Sequence, residues 1–167
     1  MEALSISDWS EKAKDSNTLL EKYAKKNNWE KYMLREETGD KRNPNYFENE
    51  KVFYGSLYFS VKDQAAKWSV TYGPWSNNGK KIVHGGAIAT HHDSIAAILI
   101  EKCFGLKYAT ASLNINYKSP MAVGSTFLFE CKVAKVEGRK IFLENKITNF
   151  ENNKVVGDAS VLYILLN

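Results

Sequence analysis

One acidic side chain stands inside an otherwise apolar run. Val83 to Phe104 reads VHGGAIATHHDSIAAILIEKCF, and Asp93 sits near its middle. From Ala87 the run is rich in Ala, Ile and Leu and holds no Gly or Pro until Gly105, with Lys102 close to its end. That composition predicts a helix that stops at a glycine cap and carries a cation at its negative end. Apolar residues recur almost all the way round, so the helix is expected to be buried. The face through Gly86, Ala89, Thr90, Asp93, Ala96 and Ala97 is made of small residues plus this one carboxylate. Burying a charge is costly unless it is paired or used, which makes Asp93 the first candidate for chemistry.

His84-Gly85-Gly86 opens the same helix. Two glycines allow close approach of a ligand, and the first N–H groups of a helix have no partner within it. With the positive end of the helix dipole they form a place for a developing negative oxygen, although two glycines can equally serve as a tight entry into the helix. Gly86 and Asp93 are seven residues apart, roughly 10 Å at 1.5 Å per residue. One small reaction centre cannot readily be served by both from a single helix. Two copies of the helix packed antiparallel would bring one chain's Asp93 against the other's Gly86 N–H, so joint action of the two groups implies a dimer with its sites at the interface.

The elements needed to hold this helix follow from periodicity. Residues from about Ser7 to Asn27 are predicted helical, with Ser7 or Asp8 as cap and Trp9, Ala13, Leu19, Leu20 and Tyr23 as apolar contacts. Trp29 to Arg35 is expected to extend this helix or form a second short one, and Glu36 to Lys51, with Pro44 and several Asn, reads as an irregular connection. From Tyr54 the period becomes two. Leu57, Phe59 and Val61, then Trp68, Val70 and Tyr72, alternate with smaller or polar residues and predict a hairpin with its turn near Asp63–Ala66. Further strands are expected at Thr110–Tyr117, 125–136, 140–149 and 155–165, with turns at Glu137-Gly138 and Asn152-Asn153. Trp68, Phe127, Phe129 and Ile141 are assigned to the core, and Lys80 and Lys81 to a solvated loop. Strands clustered around one long helix predict an α+β domain with an antiparallel sheet wrapped on that helix.

Length and composition set bounds. The 167 residues suit one domain with a sizeable core, and a 44% apolar fraction is ordinary for a globular protein. No apolar run is long enough to span a membrane. The 23 basic and 19 acidic residues are unevenly placed: the first fifty carry nine and eleven, leaving +6 on the remainder. That is compatible with an anionic ligand and too mild to imply nucleic acid. Cys103 and Cys131 lack metal-type spacing and are expected to be reduced core residues of an intracellular protein. Glu2, Asp8 and Glu11 precede the first Arg, which speaks against a secretory or import peptide within these residues.

The run HGGAIATHHDSIAA followed by TASLNINYKSP, with VEGRK near 136–140, resembles the hotdog-fold acyl-CoA thioesterases, and among them the mitochondrial members four and five of the thioesterase superfamily. The resemblance implies a six-stranded antiparallel sheet around one helix, here residues 51–167, preceded by an N-terminal helical extension and linker over residues 1–50. It implies a homodimer, or a tetramer of such dimers, that hydrolyses medium- to long-chain fatty acyl-CoA, with no metal and no cofactor beyond the CoA of the substrate. By position, Asp93 is then the general base or the nucleophile, Thr110 positions the water, and Gly86 with His84 nearby holds the thioester oxygen. Asn116, Arg139 and Lys140 match positions that serve the CoA portion, and the acyl tail enters among Ile88, Ile95 and Leu99. Alternation along the strand is expected to put Asn116 on the same face as Thr110. The location implied is mitochondrial or cytoplasmic.

This chain departs from that pattern at His91 and His92, where the family generally has apolar residues. The preferred expectation is a pair of surface or interface histidines satisfied by hydrogen bonds; the alternative has His92 tuning Asp93. Adjacent helical residues point about 100° apart and do not converge on one metal ion. Two other functional classes remain open at this point: a non-catalytic acyl-CoA-binding or regulatory protein, and a hotdog enoyl-CoA hydratase or dehydratase.

Overall fold

The computed structural model describes residues 10–32, 52–105 and 107–166. Helix α1 (Ser10–Asn27) leads into strand β1 (Glu30–Tyr32); β2 (Phe53–Ser60) and β3 (Ala65–Tyr72) follow. A 3-10 turn (Pro74–Ser76) precedes the long helix α2 (Gly85–Phe104), and β4 (Tyr108–Tyr117), β5 (Thr126–Glu137), β6 (Lys140–Asn149) and β7 (Val155–Leu165) complete the chain. All neighbouring strands pair antiparallel, in the order β1-β2-β3-β5-β6-β7-β4. Strand β4 therefore lies at one edge of the sheet, with β7 beside it.

The α+β architecture, the long helix and the later strands agree with the sequence expectation. Gly105 closes α2 with φ 84° and its N–H on Glu101 O, as a glycine cap should. Two expectations need correction. Among the described residues the sheet has seven strands, not six, because Glu30–Tyr32 is a strand and not a helix: it pairs along β2 from Glu30↔Phe59 to Tyr32↔Leu57. The cause lies at Asn28, whose left-handed φ of 57° ends α1, while Trp29 N–H returns to Ala24 O at 2.9 Å. The chain is then turned back along the open edge of β2. The hairpin turn also ends earlier than expected, since Ala65 and Ala66 already belong to β3. Ser7, Asp8, Trp9, Arg35 and the connection 36–51 lie outside the described residues.

Helix α2 packs on the inner face of the sheet, where Trp68, Phe127, Phe129 and Ile141 are buried as expected. Helix α1 covers part of the outer face through Leu20 and Ala24 against Tyr58. This explains why β2 does not show simple alternation of burial: Leu57 and Phe59 are buried in the inner core and Tyr58 under α1. A polar clip fastens the outer layer, in which the Ser69 hydroxyl donates to Asn17 Oδ1 and accepts from Ser56 N–H. Farther across the outer face the side chains are charged and paired. Lys67, Glu130 and Lys146 occupy one cross-strand row, and Asp158 and Asn116 continue it. Burial alone would raise the Glu130 carboxyl, but hydrogen bonds from Lys146 and Lys67 hold it below the usual range. Cys103 and Cys131 are free thiols, half-buried and buried, and burial raises both.

His91 and His92 overturn the surface reading: both are fully buried, facing the sheet. The reason is rotational. On a helix whose other stripe carries Asp93 and alanines, the two positions before the acid turn inward. His91 Nδ1 lies 3.0 Å from both Ala87 O and Tyr72 Oη, within a cage of Phe53, Trp68 and Phe129. His92 meets Phe129 edge-on, and neither of its ring nitrogens has a partner among the described residues. Burial pushes both imidazoles down from 6.5 to about 4, and the charge acting on His92 is that of Asp158.

Two outcomes follow from this packing. The unfolded chain protonates these histidines below about pH 6.5 while the folded one resists until about pH 4. The stability contributed by the neutral pair is therefore fully present above pH 6.5 and is lost as pH falls toward 4, a change on the order of several kcal/mol. Urea unfolding of the wild type and of His92→Leu at pH 7 and pH 4.5 measures it, and the variant should show the smaller fall. Gly55 gives the second: a Cβ there would stand 1.7 Å from the Ser69 backbone oxygen. Gly55→Ala is expected to cost about 3 kcal/mol or more in chemical denaturation, because a strand and not a flexible side chain must shift.

Candidate active site

Asp93 projects from the stripe of α2 that the sheet leaves half open. Gly86 is exposed, and Ala89, Thr90, Asp93 and Ala97 are partly exposed, while Ala96 is buried. The helix is thus not covered all round, as its composition predicted, but only on its Ile88, His91, His92, Ile95 and Leu99 side. Gly86 and Asp93 differ by about 20° around the axis, so they share this open stripe at opposite ends of two turns.

The carboxylate is held from the sheet. Thr110 Oγ1 on β4 donates to Asp93 Oδ1 at 2.9 Å, and Tyr163 Oη on β7 reaches the same oxygen at 2.7 Å. Tyr163 Oη also lies 3.0 Å from the Asp93 backbone oxygen. Thr110 and Tyr163 are direct cross-strand partners, so the two hydroxyls arrive as a pair. Asp93 Oδ2 has no partner among the described residues. Tyr163 itself is buried, and burial together with the Asp93 charge raises its hydroxyl well above the ordinary tyrosine range, which keeps it a donor.

The family resemblance pointed to Thr110, as a residue that positions water; the structure puts its hydroxyl on Asp93 itself, and Tyr163 was missed. A tyrosine in a strand reads as ordinary core, and only the cross-strand register to Thr110 marks it out. The expected common face of Thr110 and Asn116 is not found. A β-bulge at Ala111, between the pairs Thr110↔Tyr163 and Ser112↔Leu162, shifts the alternation by one residue. Thr110 faces the helix, whereas Asn116 faces outward and donates to Asp158 Oδ1 at 2.7 Å, next to the Lys118–Asp158 ion pair. Asn116 there lines an outer groove of about 860 Å³ with Tyr23, Trp29, Lys67 and Glu130.

At the helix entry, His84 caps α2. Its Nδ1 accepts the Gly86 N–H at 2.9 Å, so the proposed oxyanion donor is occupied by the chain's own ring. Tyr117 Oη donates to Gly85 O at 3.0 Å and fixes the entry to the end of β4. Arg139 and Lys140 lie at the β5–β6 turn, where Gly138 adopts φ 56°. Lys140 pairs with Ile164, one position from Tyr163, which puts this turn at the Thr110 end of the sheet. Asn116 is six residues down β4, about 20 Å away. One chain therefore gathers Asp93, Thr110 and Tyr163, holds His84 with Gly86 about two turns off, and keeps Asn116 apart from Arg139 and Lys140. Among the described residues no cluster of His, Cys, Asp or Glu is arranged to hold a metal, and no helix is long and apolar enough to cross a membrane.

Residues 80–156, which span α2, the bulged strand and the hairpin to the start of β7, match the family model described as thioesterase superfamily. The Xenopus laevis protein named acyl-coenzyme A thioesterase THEM4 is 35% identical over 95 residues, covering 56% of this chain and 42% of the relative. The Rattus norvegicus protein of the same name is 38% identical over 85 residues, covering 51% and 36%. The chain thus spans about two fifths of the length of these curated relatives. Among solved structures, zebra fish thioesterase superfamily member 2 superimposes with a TM-score of 0.61 at 21% identity, covering 66% of this chain and 81% of its own. The Streptococcus mutans protein smu.793, solved bound to acetyl CoA, gives 0.63 at 21% identity, covering 81% and 98%. The fold is shared with both. Residues 80–156, with the helix and strand that carry Asp93 and Thr110, are thus similar to the thioesterase superfamily, and the fold is that of the solved thioesterases.

Proposed function

We propose that the chain is an acyl-CoA thioesterase that acts as a homodimer. The observation that carries this reading is the state of Asp93: one oxygen is fixed by two hydroxyls, and the other has no partner among the described residues, on a half-open stripe of an otherwise buried helix. The names of the similar proteins supply the substrate class. Asp93 takes a proton from water as the water oxygen attacks the thioester carbonyl carbon, or its carboxylate attacks that carbon to form an acyl-Asp93 anhydride that water hydrolyses once the thiolate has left. The carbonyl oxygen gains charge, the C–S bond breaks, and the thiolate leaves and is protonated, giving a fatty acid and CoA.

The charge on that oxygen needs a donor, commonly worth about 2.7–4 kcal/mol. Gly86 N–H of a second chain is the candidate, because within one chain it lies roughly 10 Å from Asp93. The features that favour pairing lie together: among the described residues β4 is an edge strand with Ala109, Thr110 and Ala111 exposed, and the open stripe of α2 faces the same side, with Asp93 bonded to Thr110. Pairing of two such edges would also bring Asn116 of one chain toward the Arg139 and Lys140 end of the other, as binding of one CoA across the interface requires. For Gly86 to act, His84 must turn aside from its N–H; His84 then borders the oxyanion. Medium- to long-chain acyl groups are the proposed substrates; the tail route expected among Ile88, Ile95 and Leu99 is closed, because those side chains are packed in the core against the sheet.

Thiol release measured over a series of acyl-CoA lengths tests the activity. Asp93→Asn should lower kcat by about a hundredfold or more, with the fold retained, since an amide oxygen still accepts from Thr110 and Tyr163, and with a thermal midpoint lower by a few degrees because the acceptor is now neutral. Undiminished turnover in that variant would end the assignment. Acyl-CoA binding by the wild type without thiol release would move it to a binding protein, and conversion of an enoyl-CoA to a hydratase.

A further inference from the structure

We propose that Tyr163 is a positioning residue for Asp93, selecting which carboxylate oxygen meets the substrate; this rests on the thioesterase reading above. Three observations converge on it. Tyr163 Oη reaches both the Oδ1 and the backbone oxygen of Asp93, at 2.7 and 3.0 Å, so it fixes the side chain relative to its own helix turn. Its ring is 1% exposed and meets Tyr108 edge-on with centroids 5.4 Å apart, so the hydroxyl cannot follow a moving carboxylate. Thr110 Oγ1 takes the same Oδ1 from the neighbouring strand.

A carboxylate turning about its terminal torsion moves through a broad, nearly two-fold range. Thr110 alone leaves that range open, because a small hydroxyl on an exposed edge residue can follow it. A buried phenol cannot. With Oδ1 committed to two donors, Oδ2 is the oxygen that accepts the proton from water or attacks the carbonyl. The phenol stays protonated, because burial and the adjacent carboxylate both oppose its ionisation. Tyr163 therefore neither gives nor takes a proton in the reaction. It touches Asp93, not the reacting atoms.

A tyrosine that merely packs β7 against α2 would be expected to affect folding, or every kinetic constant through loss of native protein. Tyr163→Phe keeps the ring and removes only the hydroxyl, and it separates the two roles. The expected result is a fall in kcat of about tenfold, the usual scale for losing one hydrogen bond to a charged group, with KM within about twofold; the lost bond also lowers the thermal midpoint by several degrees, so rates are compared at a temperature where both proteins are fully folded. In an Asp93→Asn background, the same substitution should change the residual rate less than twofold, because Tyr163 acts through the carboxylate. An unchanged kcat in Tyr163→Phe, a rise in KM instead, or the full tenfold loss repeated without the carboxylate overturns the inference.

A second readout needs no turnover. A phenolic proton held on a carboxylate inside the fold should give a slowly exchanging downfield proton resonance. That resonance should be absent in Tyr163→Phe and displaced in Asp93→Asn, and its absence from the wild type also overturns the proposal. If the wild type shows the resonance and releases no thiol from any acyl-CoA, the bond exists but the functional reading fails, and the catalytic task assigned to Tyr163 falls with it.

Discussion

Two hydroxyls from adjacent strands meeting one carboxylate oxygen tie the long helix to the edge of the sheet. The rest of the architecture can be read from that junction. Hydrogen bonds to a charged acceptor contribute about 1.5–3 kcal/mol each, more than ordinary neutral ones. They also fix rotation: Asp93 can meet Thr110 and Tyr163 only if the His91–His92 side of α2 faces the interior. The aromatic cage of Phe53, Trp68 and Phe129 then receives the histidines, and the small-residue stripe is turned outward. One interaction sets both the orientation of the core and the exposure of the reactive group.

Much of this was legible in the residues, and the failures have identifiable causes. A carboxylate in an Ala/Ile/Leu run with a double glycine at its start is a conflict between local composition and cost, and such conflicts mark sites. Strands with period-two alternation and turns at Glu137-Gly138 and Asn152-Asn153 were readable because only one local geometry fits them; Gly138 and Asn153 both take positive φ. The bulge at Ala111 was not readable. It adds one residue to a strand of small residues whose type is indifferent to it, yet it reverses the facing of everything beyond, including Asn116. Tyr163 was missed for the related reason that its role depends on cross-strand register, which no local pattern encodes. The histidines were misplaced because polarity was weighed above helical phase, and phase decided.

The two faces of the sheet do different physical work. The outer face carries charges in matched rows, Lys67 and Lys146 against Glu130 and Lys118 against Asp158, of which each exposed pair contributes at most about 1 kcal/mol. These charges satisfy one another, so the outer groove is not a concentrated field of one sign. The inner face is apolar except where it meets α2, and there Asn145 Nδ2 donates to His92 O while Thr110 and Tyr163 donate to Asp93. Of the Asp93 carboxylate, Oδ2 has no partner among the described residues.

The seven-residue interval between Gly86 and Asp93 makes the reaction geometry a question of stoichiometry. Seven residues bring two positions back to nearly the same helical face, which is why donor and carboxylate share one stripe. The same interval holds them about 10 Å apart on a rigid rod, several times the span of a carbonyl and its attacking water. Bending α2 cannot close that gap, because its buried side is packed along its length by Ile88, Ile95 and Leu99. Under the proposed mechanism the fold therefore leaves each chain with half of two sites. A centre that used Asp93 without an N–H donor would work in a single chain, but it would forgo the stabilisation that the helix start offers. Whether turnover survives dilution of the chains is, on this geometry, equivalent to asking whether Gly86 takes part.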